Sequence, residues 1–285
     1  MLKINRSDIR LARELNKKFF GNSIGEQKEL LIRNRLKKLY RNYGGPLSLT
    51  QMLEEISHGK NVQAFINAFT TNKTSFFREP LQFEDLMNRV FPDHFAHSRE
   101  IKIYSCASST GEEPYSIGIT LLTYLEQNTL PMSSRVYATD IDTDVLKTAQ
   151  NGIYRFDTEH SPFPNWVRPQ NFFQRRIVDG VHYVLIRAND KLRHLLSFSQ
   201  YNLLDPEPAF APMKFDVIFC RNVLIYFNNH DQEKVLNKLF DQLKIGGTLY
   251  TGHSETPFSL YSYIEKIGPS IFKKHSERKG VACTV

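Results

Sequence analysis

Hydrophobic positions recur along this chain with two different periods. In the first quarter they return every three or four residues. Ile32, Leu36, Leu39 and Tyr43 share one face of a helix expected over Glu26–Tyr43, which Gly44-Gly45-Pro46 ends. Two shorter helices are expected, over about Leu49–His58 and Val62–Phe69, so residues 1–70 read as a small bundle. From about residue 99 short apolar runs alternate with helical segments. Ile101–Tyr104, Val136–Thr139 and Phe215–Cys220 read as strands, and Thr248–Thr251 and Ile271–Lys273 as late ones. Glu113–Gln127, Thr143–Gln150 and Asp231–Leu243 read as the helices between them. Thr143 is a candidate N-cap, and Lys244-Ile245-Gly246-Gly247 a helix stop. Alternation of this kind predicts a mostly parallel sheet covered by helices.

One stretch breaks the alternation. Asn171–Ile177 and Val181–Arg187 flank Val178-Asp179-Gly180, and Asp-Gly is a strong hairpin turn signal. With Leu195–Phe198 as a further strand, this predicts a small antiparallel insertion over about residues 171–198. It is either a plain surface hairpin or a docking edge for a peptide strand.

The strongest chemical signal is Ser105-Cys106-Ala107-Ser108-Ser109-Thr110-Gly111-Glu112-Glu113-Pro114-Tyr115-Ser116, between the first strand and its helix. Small residues at a strand-to-helix turn let a ligand approach the backbone, as in doubly wound nucleotide sites. A carboxylate at that turn, Glu112, is a poor neighbour for pyrophosphate and a good one for a cation. The pattern points to a cationic nucleoside such as S-adenosylmethionine. Asp140 ends the second strand, where an acid hydrogen-bonds ribose hydroxyls. Asp142 competes for that role, and either acid also suits a helix cap. Arg221 and Asn222 follow the third strand, at the end that faces the ligand crevice. Tyr226 is placed either to reach the reaction centre or to pack between Ile225 and Phe227. The polar segment Thr70–Pro80 reads as a connector, either a plain loop or a ligand-binding one.

Composition narrows the classes. The apolar fraction of 41% is that of a globular protein, and no apolar run approaches the roughly 20 residues of a bilayer span. The first residues contain no apolar leader core. Three widely spaced cysteines form neither a disulfide framework nor a zinc pattern, which suits a reducing cytoplasm. The nine histidines make no HExxH or paired-ligand spacing, so no metal is expected; there is no GxSxG to support a nucleophile triad, and neither phosphate-loop pattern occurs. The net charge of +7 lies entirely in residues 1–70, with 13 Lys/Arg against 6 Asp/Glu; the remainder holds 24 of each. Arg33, Lys37 and Arg41 form a row along the second helix, with Arg35 and Lys38 beside it. The row is a solvated face or a docking surface for an acidic helix or nucleic acid.

Ser109–Ser116, Ala138-Thr139-Asp140-Ile141-Asp142, Phe215–Phe227 and Gly252-His253-Ser254-Glu255 together resemble the chemotaxis receptor methyltransferases of the CheR type. Thr71-Asn72-Lys73-Thr74-Ser75-Phe76-Phe77-Arg78-Glu79 and Asn34–Leu39 are similar to further motifs of that family. The matches run in order over roughly residues 28–275. The resemblance implies a Rossmann-like class I S-adenosylmethionine methyltransferase domain, α/β, with a small β-hairpin insertion and a small all-α domain before it. The boundaries follow as a basic helical domain over 1–70, a connector over 71–98 and the methyltransferase domain over 99–285.

The resemblance also implies roles. Asn72, Thr74 and Arg78 would contact S-adenosylmethionine, Glu112 its cationic end, Asp140 its ribose, and Asn202 and Leu203 its adenine side. Arg221 and Asn222 would complete the pocket. The family methylates glutamate side chains on the helical cytoplasmic arm of chemoreceptors and leaves S-adenosylhomocysteine. Arg33, Arg35, Lys37, Lys38 and Arg41 would dock that arm. In some members the β insertion holds a receptor's C-terminal tail. Of the two residues before Ser109-Thr110-Gly111, where Gly-Cys is frequent, this chain has Ala107-Ser108, and binding is expected to survive.

A glutamate nucleophile is ionised at neutral pH, with a pKa of about 4.3, so no general base is needed. The enzyme aligns nucleophile, methyl and sulfur. Arg78 is then the candidate for steering the carboxylate and Tyr226 for holding one oxygen. Two other readings share the fold: a nucleic-acid methyltransferase, and a non-catalytic S-adenosylmethionine-binding signalling protein. The neutral catalytic part, without a DPPY- or NPPY-type motif, speaks against the first. A monomer is expected, since no long apolar stripe is left over.

Overall fold

The computed structural model describes residues 2–21, 24–44, 46–131, 133–157, 163–177 and 183–278. The expected turn Val178-Asp179-Gly180 and Cys283 lie outside the described residues.

Four helices open the chain: α1 (Arg6–Phe20), α2 (Glu29–Tyr43), α3 (Leu49–Ser57) and α4 (Val62–Phe69). They bury one core, in which Ile9, Leu15, Ile32, Leu36, Leu53 and Phe65 meet. Of these six, the sequence pattern singled out only Ile32 and Leu36. In α1 the buried face is diluted by Asp8 and Asn16, so its apolar period is weak. Asp8 answers for this by closing a capping box with Asn5 and accepting the Thr50 hydroxyl at 2.7 Å. Before α2, Glu26–Lys28 form a separate 3₁₀ turn.

Residues 81–95, expected as connector, are helical: α5 (Leu81–Asp85), a π turn over Leu86–Val90, and α6 (Phe91–Phe95). Phe83, Leu86, Phe91 and Phe95 from this run enter the core of the large sheet.

The α/β part follows as β1 (Lys102–Cys106), α7 (Glu112–Gln127), β2 (Arg135–Asp140), α8 (Thr143–Asn151), β3 (Ile153–Asp157), β4 (Phe173–Ile177), β5 (Tyr183–Ala188), α9 (Asp190–Leu195), β6 (Leu196–Gln200), β7 (Phe215–Cys220), α10 (Asn229–Gln242), β8 (Leu243–Thr251), β9 (Ile264–Gly268) and β10 (Ile271–Lys274). Seven strands form one sheet in the order β6-β2-β1-β7-β8-β10-β9. The first five are parallel neighbours, and β10 and β9 run antiparallel at the edge. β7 is buried along its whole length, as its unbroken apolar run requires of a strand covered on both faces. The chain leaves β1 toward β2 and β6, then returns to β7 on the other side of β1. This reversal opens a crevice beyond the strands' C-terminal ends.

A second sheet, in the order β3-β5-β4, is antiparallel. It differs from expectation in membership. β3 joins it, and the strand expected in the insertion at Leu195–Phe198 is instead β6, Leu196–Gln200, which pairs with β2 as an edge of the large sheet. Buried Leu195 and Leu196 allowed either assignment, and only pairing decides. Lys244–Gly247, expected as a helix stop, lies within β8. β9 shows no apolar alternation because it is an edge strand, buried only at Ile264.

Candidate active site

The cleft lies at the reversal point, between the ends of β1, β2 and β7, with the connector across its mouth. Its lining is drawn from the connector, the ends of these three strands and the segment around Tyr201–Leu203.

The turn after β1 forms one side. Ala107 and Ser109 take φ of 51° and 50°, and Gly111 takes 99°. Ala107 thus stands in the left-handed conformation that glycine adopts without cost. At Gly111 a side chain has no room: a Cβ would lie 2.8 Å from both Ala149 and the Tyr154 hydroxyl. The turn aims the Ser109 N–H at Asp140, whose Oδ2 accepts it at 2.7 Å. Oδ1 accepts the Asp142 N–H at 2.9 Å.

Asp140 and Asp142 therefore have separate tasks. Asp142 caps α8, its Oδ1 accepting from Asp144 and Val145 at 2.9 and 3.3 Å. Its Oδ2 accepts from the Thr70 hydroxyl at 2.6 Å and the Asn72 amide at 2.7 Å, tying the connector to β2. The cap is Asp142, not Thr143. Asp140 lines the cleft, and burial pushes its carboxyl up from 3.8 to about 6, against the pull of the backbone donors.

The acids of the turn divide in the same way. Glu112 accepts from the Thr110 hydroxyl at 2.6 Å, its carboxyl raised mainly by burial, and it stands outside the cleft lining. Glu113 is the lining acid. It accepts from Ser105 at 2.7 Å and from Arg221 at 3.0 Å. Burial raises the Glu113 carboxyl, Arg221 opposes this, and Glu79 and Glu255 add to it. The sequence pattern placed the acid at the helix start and could not distinguish two adjacent glutamates that point to different sides.

Arg221 is buried. Its guanidinium pairs with Glu79 at 3.2 Å and Glu113 at 3.0 Å and donates to the Arg78 carbonyl. Phe83 and Phe219 flank it at 5.7 and 6.0 Å. It serves the cleft as a clasp between the connector and the sheet. Asn222, at φ 57°, donates its N–H to Glu255 at 2.7 Å and its amide to Glu79 at 3.3 Å. Glu255 also accepts from Leu224 and Gly252, at 2.7 and 2.8 Å, so it sets the whole 222–225 turn. Its role was not assigned from sequence, although Gly252-His253-Ser254-Glu255 was among the resembling motifs. Two carboxylates, Glu79 and Glu113, thus pair with one guanidinium, and the excess is negative.

The remaining candidates converge as well. Asn72, Thr74, exposed Arg78 and half-buried Tyr226 all line the cleft. Leu203 is a buried wall, and the Asn202 amide donates to the Phe19 carbonyl at 2.9 Å. The five basic candidates on α2 are not brought together. Arg33 pairs with Glu29 at 2.7 Å and donates to the Ile4 carbonyl at 2.9 Å. Arg35 folds inward onto the Phe69 carbonyl and donates to Thr71 at 2.8 Å. Burial lowers its pKa, and nearby Tyr226 works against that. Lys37, Lys38 and Arg41 are exposed.

These residues fit a cationic nucleoside. Each Asp140 oxygen keeps a lone pair for a ribose hydroxyl. The Ser108 hydroxyl lines the cleft, buried and without a partner in the protein. The negative cluster suits a sulfonium or ammonium group. Among the described residues no group of three or more His, Cys, Asp or Glu is placed to hold a metal ion.

A doubly wound sheet with this cleft is a Rossmann-like class I S-adenosylmethionine methyltransferase domain. The family model for the CheR methyltransferase, SAM binding domain, matches residues 72–271, and the chain belongs to that family. It is 38% identical over 257 residues to the chemotaxis protein methyltransferase of Salmonella typhimurium LT2, covering 88% of this chain and 84% of that one. It is 41% identical over 242 residues to the protein of the same name from Klebsiella aerogenes, covering 82% and 78%. Chemotaxis protein methyltransferase 2 of Pseudomonas aeruginosa is 36% identical over 276 residues, covering 94% and 92%. Among the described residues no helix is long and apolar enough to cross a membrane.

Proposed function

We propose that this protein transfers a methyl group from S-adenosylmethionine to glutamate side chains on the cytoplasmic helical arm of chemoreceptors. It acts in the cytoplasm and leaves a methyl ester and S-adenosylhomocysteine. The observation that carries the glutamate assignment is the lack of a base at the reacting end. No histidine is among the described residues that line the cleft, and the lining acids Asp140 and Glu113 are engaged by their own donors. A nucleophile that must lose a proton would find neither a histidine nor an unengaged acid in that lining. A carboxylate attacks as it stands.

When bound, S-adenosylmethionine supplies an activated methyl on a sulfonium. The protein's work is orientation and charge. Asp140 holds the ribose and the negative cluster attracts the cationic end. Exposed Lys73 and Arg78 at the mouth draw in the substrate carboxylate, and the Tyr226 hydroxyl holds one of its oxygens. Incubation with methyl-labelled S-adenosylmethionine and a purified receptor cytoplasmic fragment is expected to label the fragment. Mild alkali should release that label as methanol. Alkali-stable label would exclude an ester and overturn the glutamate assignment.

Docking falls to Lys37, Lys38 and Arg41, the exposed part of the basic row on α2. Arg33 and Arg35 hold the bundle together. Reversing Lys37 and Arg41 to Glu is expected to lower kcat/KM for the receptor fragment about tenfold at low salt. The gap should close at high salt, since rim charges mainly govern encounter and are screened. A defect of equal size at both ionic strengths would point away from docking. The β3-β5-β4 sheet is the candidate site for a receptor's C-terminal tail.

A further inference from the structure

The sheet builds most of the cleft, but one wall comes from elsewhere. Phe20, the last residue of α1, lines the cleft, although it also belongs to the core of the helical bundle. It is nearly buried, at 8% exposure. The chain reverses directly after it. Gly21 caps α1 at φ 67°, its N–H donating to the Lys17 carbonyl at 3.0 Å. A Cβ at Gly21 would lie 2.6 Å from Leu204 and 3.1 Å from Phe227, so the backbone there rests against the catalytic part. The Asn202 amide fixes the same point by donating to the Phe19 carbonyl at 2.9 Å. The end of α1 is therefore held at the edge of the cleft by the segment that follows β6.

This is the apolar end of the cleft. Ile141, Tyr201 and Leu203 line it, and Asp140 stands between them and the charged cluster around Arg221. A nucleoside whose ribose lies on Asp140 and whose cationic end meets that cluster must extend its base toward Phe20. A flat apolar ring is a sequence-tolerant partner for a purine face.

We propose that Phe20 packs against the adenine of S-adenosylmethionine, so that the helical bundle supplies one face of the cofactor site. This rests on the reading of the cleft as a nucleoside site. The consequence is a direct link between bundle and cofactor: whatever displaces the end of α1 weakens cofactor binding.

The full-length protein and its F20A, F20L and F20W variants would be titrated calorimetrically with S-adenosylhomocysteine. Absence of binding by the unmodified protein would overturn the nucleoside reading, and the Phe20 proposal with it. Given binding, F20A is expected to be about tenfold weaker or more, F20L intermediate, and F20W close to the unmodified protein. Equal affinity in F20A would overturn the Phe20 contact and leave the nucleoside reading intact. Since F20A also opens the bundle core, a second readout avoids that variant. Trp166 is the chain's single tryptophan, so F20W in a W166F background carries one indole, at the site, excited selectively at the red edge of tryptophan absorption. S-adenosylhomocysteine is expected to change its emission in a saturable way; unchanged emission overturns the contact.

Discussion

Replacing Asp140 by asparagine is expected to weaken S-adenosylhomocysteine binding about a hundredfold while leaving the fold intact. Two hydrogen bonds from ribose hydroxyls to a buried carboxylate are charge-assisted, each worth about 1.5–3 kcal/mol. About 1.4 kcal/mol corresponds to tenfold. An amide keeps the shape but loses the charge, and its NH₂ must face one of the two backbone donors now held by Asp140. The pH dependence tests the same point in the unmodified protein. Burial holds the Asp140 carboxyl at about 6. Ribose needs the ionised form, so affinity should be flat above about pH 6 and fall up to tenfold per unit below it. The asparagine variant should lose that slope; a slope that persists in it would assign the titration to another group. Without ligand the sign reverses. A carboxyl raised on folding favours the folded state when protonated, and that contribution is lost as pH rises through about 6. At pH 8 the variant carries no such cost, so its thermal midpoint should stay within a few degrees of the unmodified protein.

Much of this site was legible in the sequence because doubly wound folds tie chemistry to strand ends. Asp140, Arg221 and Asn222 were found by counting strands, and the structure brings all three to one cleft. What was not legible depends on direction rather than position. Glu112 and Glu113 are adjacent, yet only the second lines the cleft. Arg35 and Lys37 lie two apart on α2, yet one turns inward to Phe69 and the other is exposed. Phe20 had no signal at all, since a phenylalanine at a helix end reads as core, which it also is. The π turn over Leu86–Val90 and the edge strand β9 escaped for a simpler reason. Neither carries an apolar period of its own, and the sheet recruits both.

Arg221→Met is the substitution expected to cost the most stability. The methionine fills a similar volume between Phe83 and Phe219, so lost packing is small. What remains is Glu79 and Glu113 facing each other in the interior with their shared cation gone. Breaking a buried ion pair from one side costs about 3–5 kcal/mol, or a thermal midpoint lower by about 10 °C in a domain of this size. The deficit should depend on pH in a defined direction. Without Arg221 the Glu113 carboxyl, already raised by burial, loses the charge that opposes the rise. Its contribution then favours the folded state only when protonated, and it is lost as pH rises. Denaturant unfolding of variant and unmodified protein should therefore differ less at pH 5 than at pH 8. An equal gap at both would mean that the clasp acts through packing and not through charge. Cofactor affinity should fall as well, because Arg221 also holds the Arg78 carbonyl and with it the turn at Phe77 and Glu79, at φ 51° and 59°. Once the clasp is cut, those two left-handed residues lose a contact that holds them there, and the connector no longer closes the mouth of the cleft.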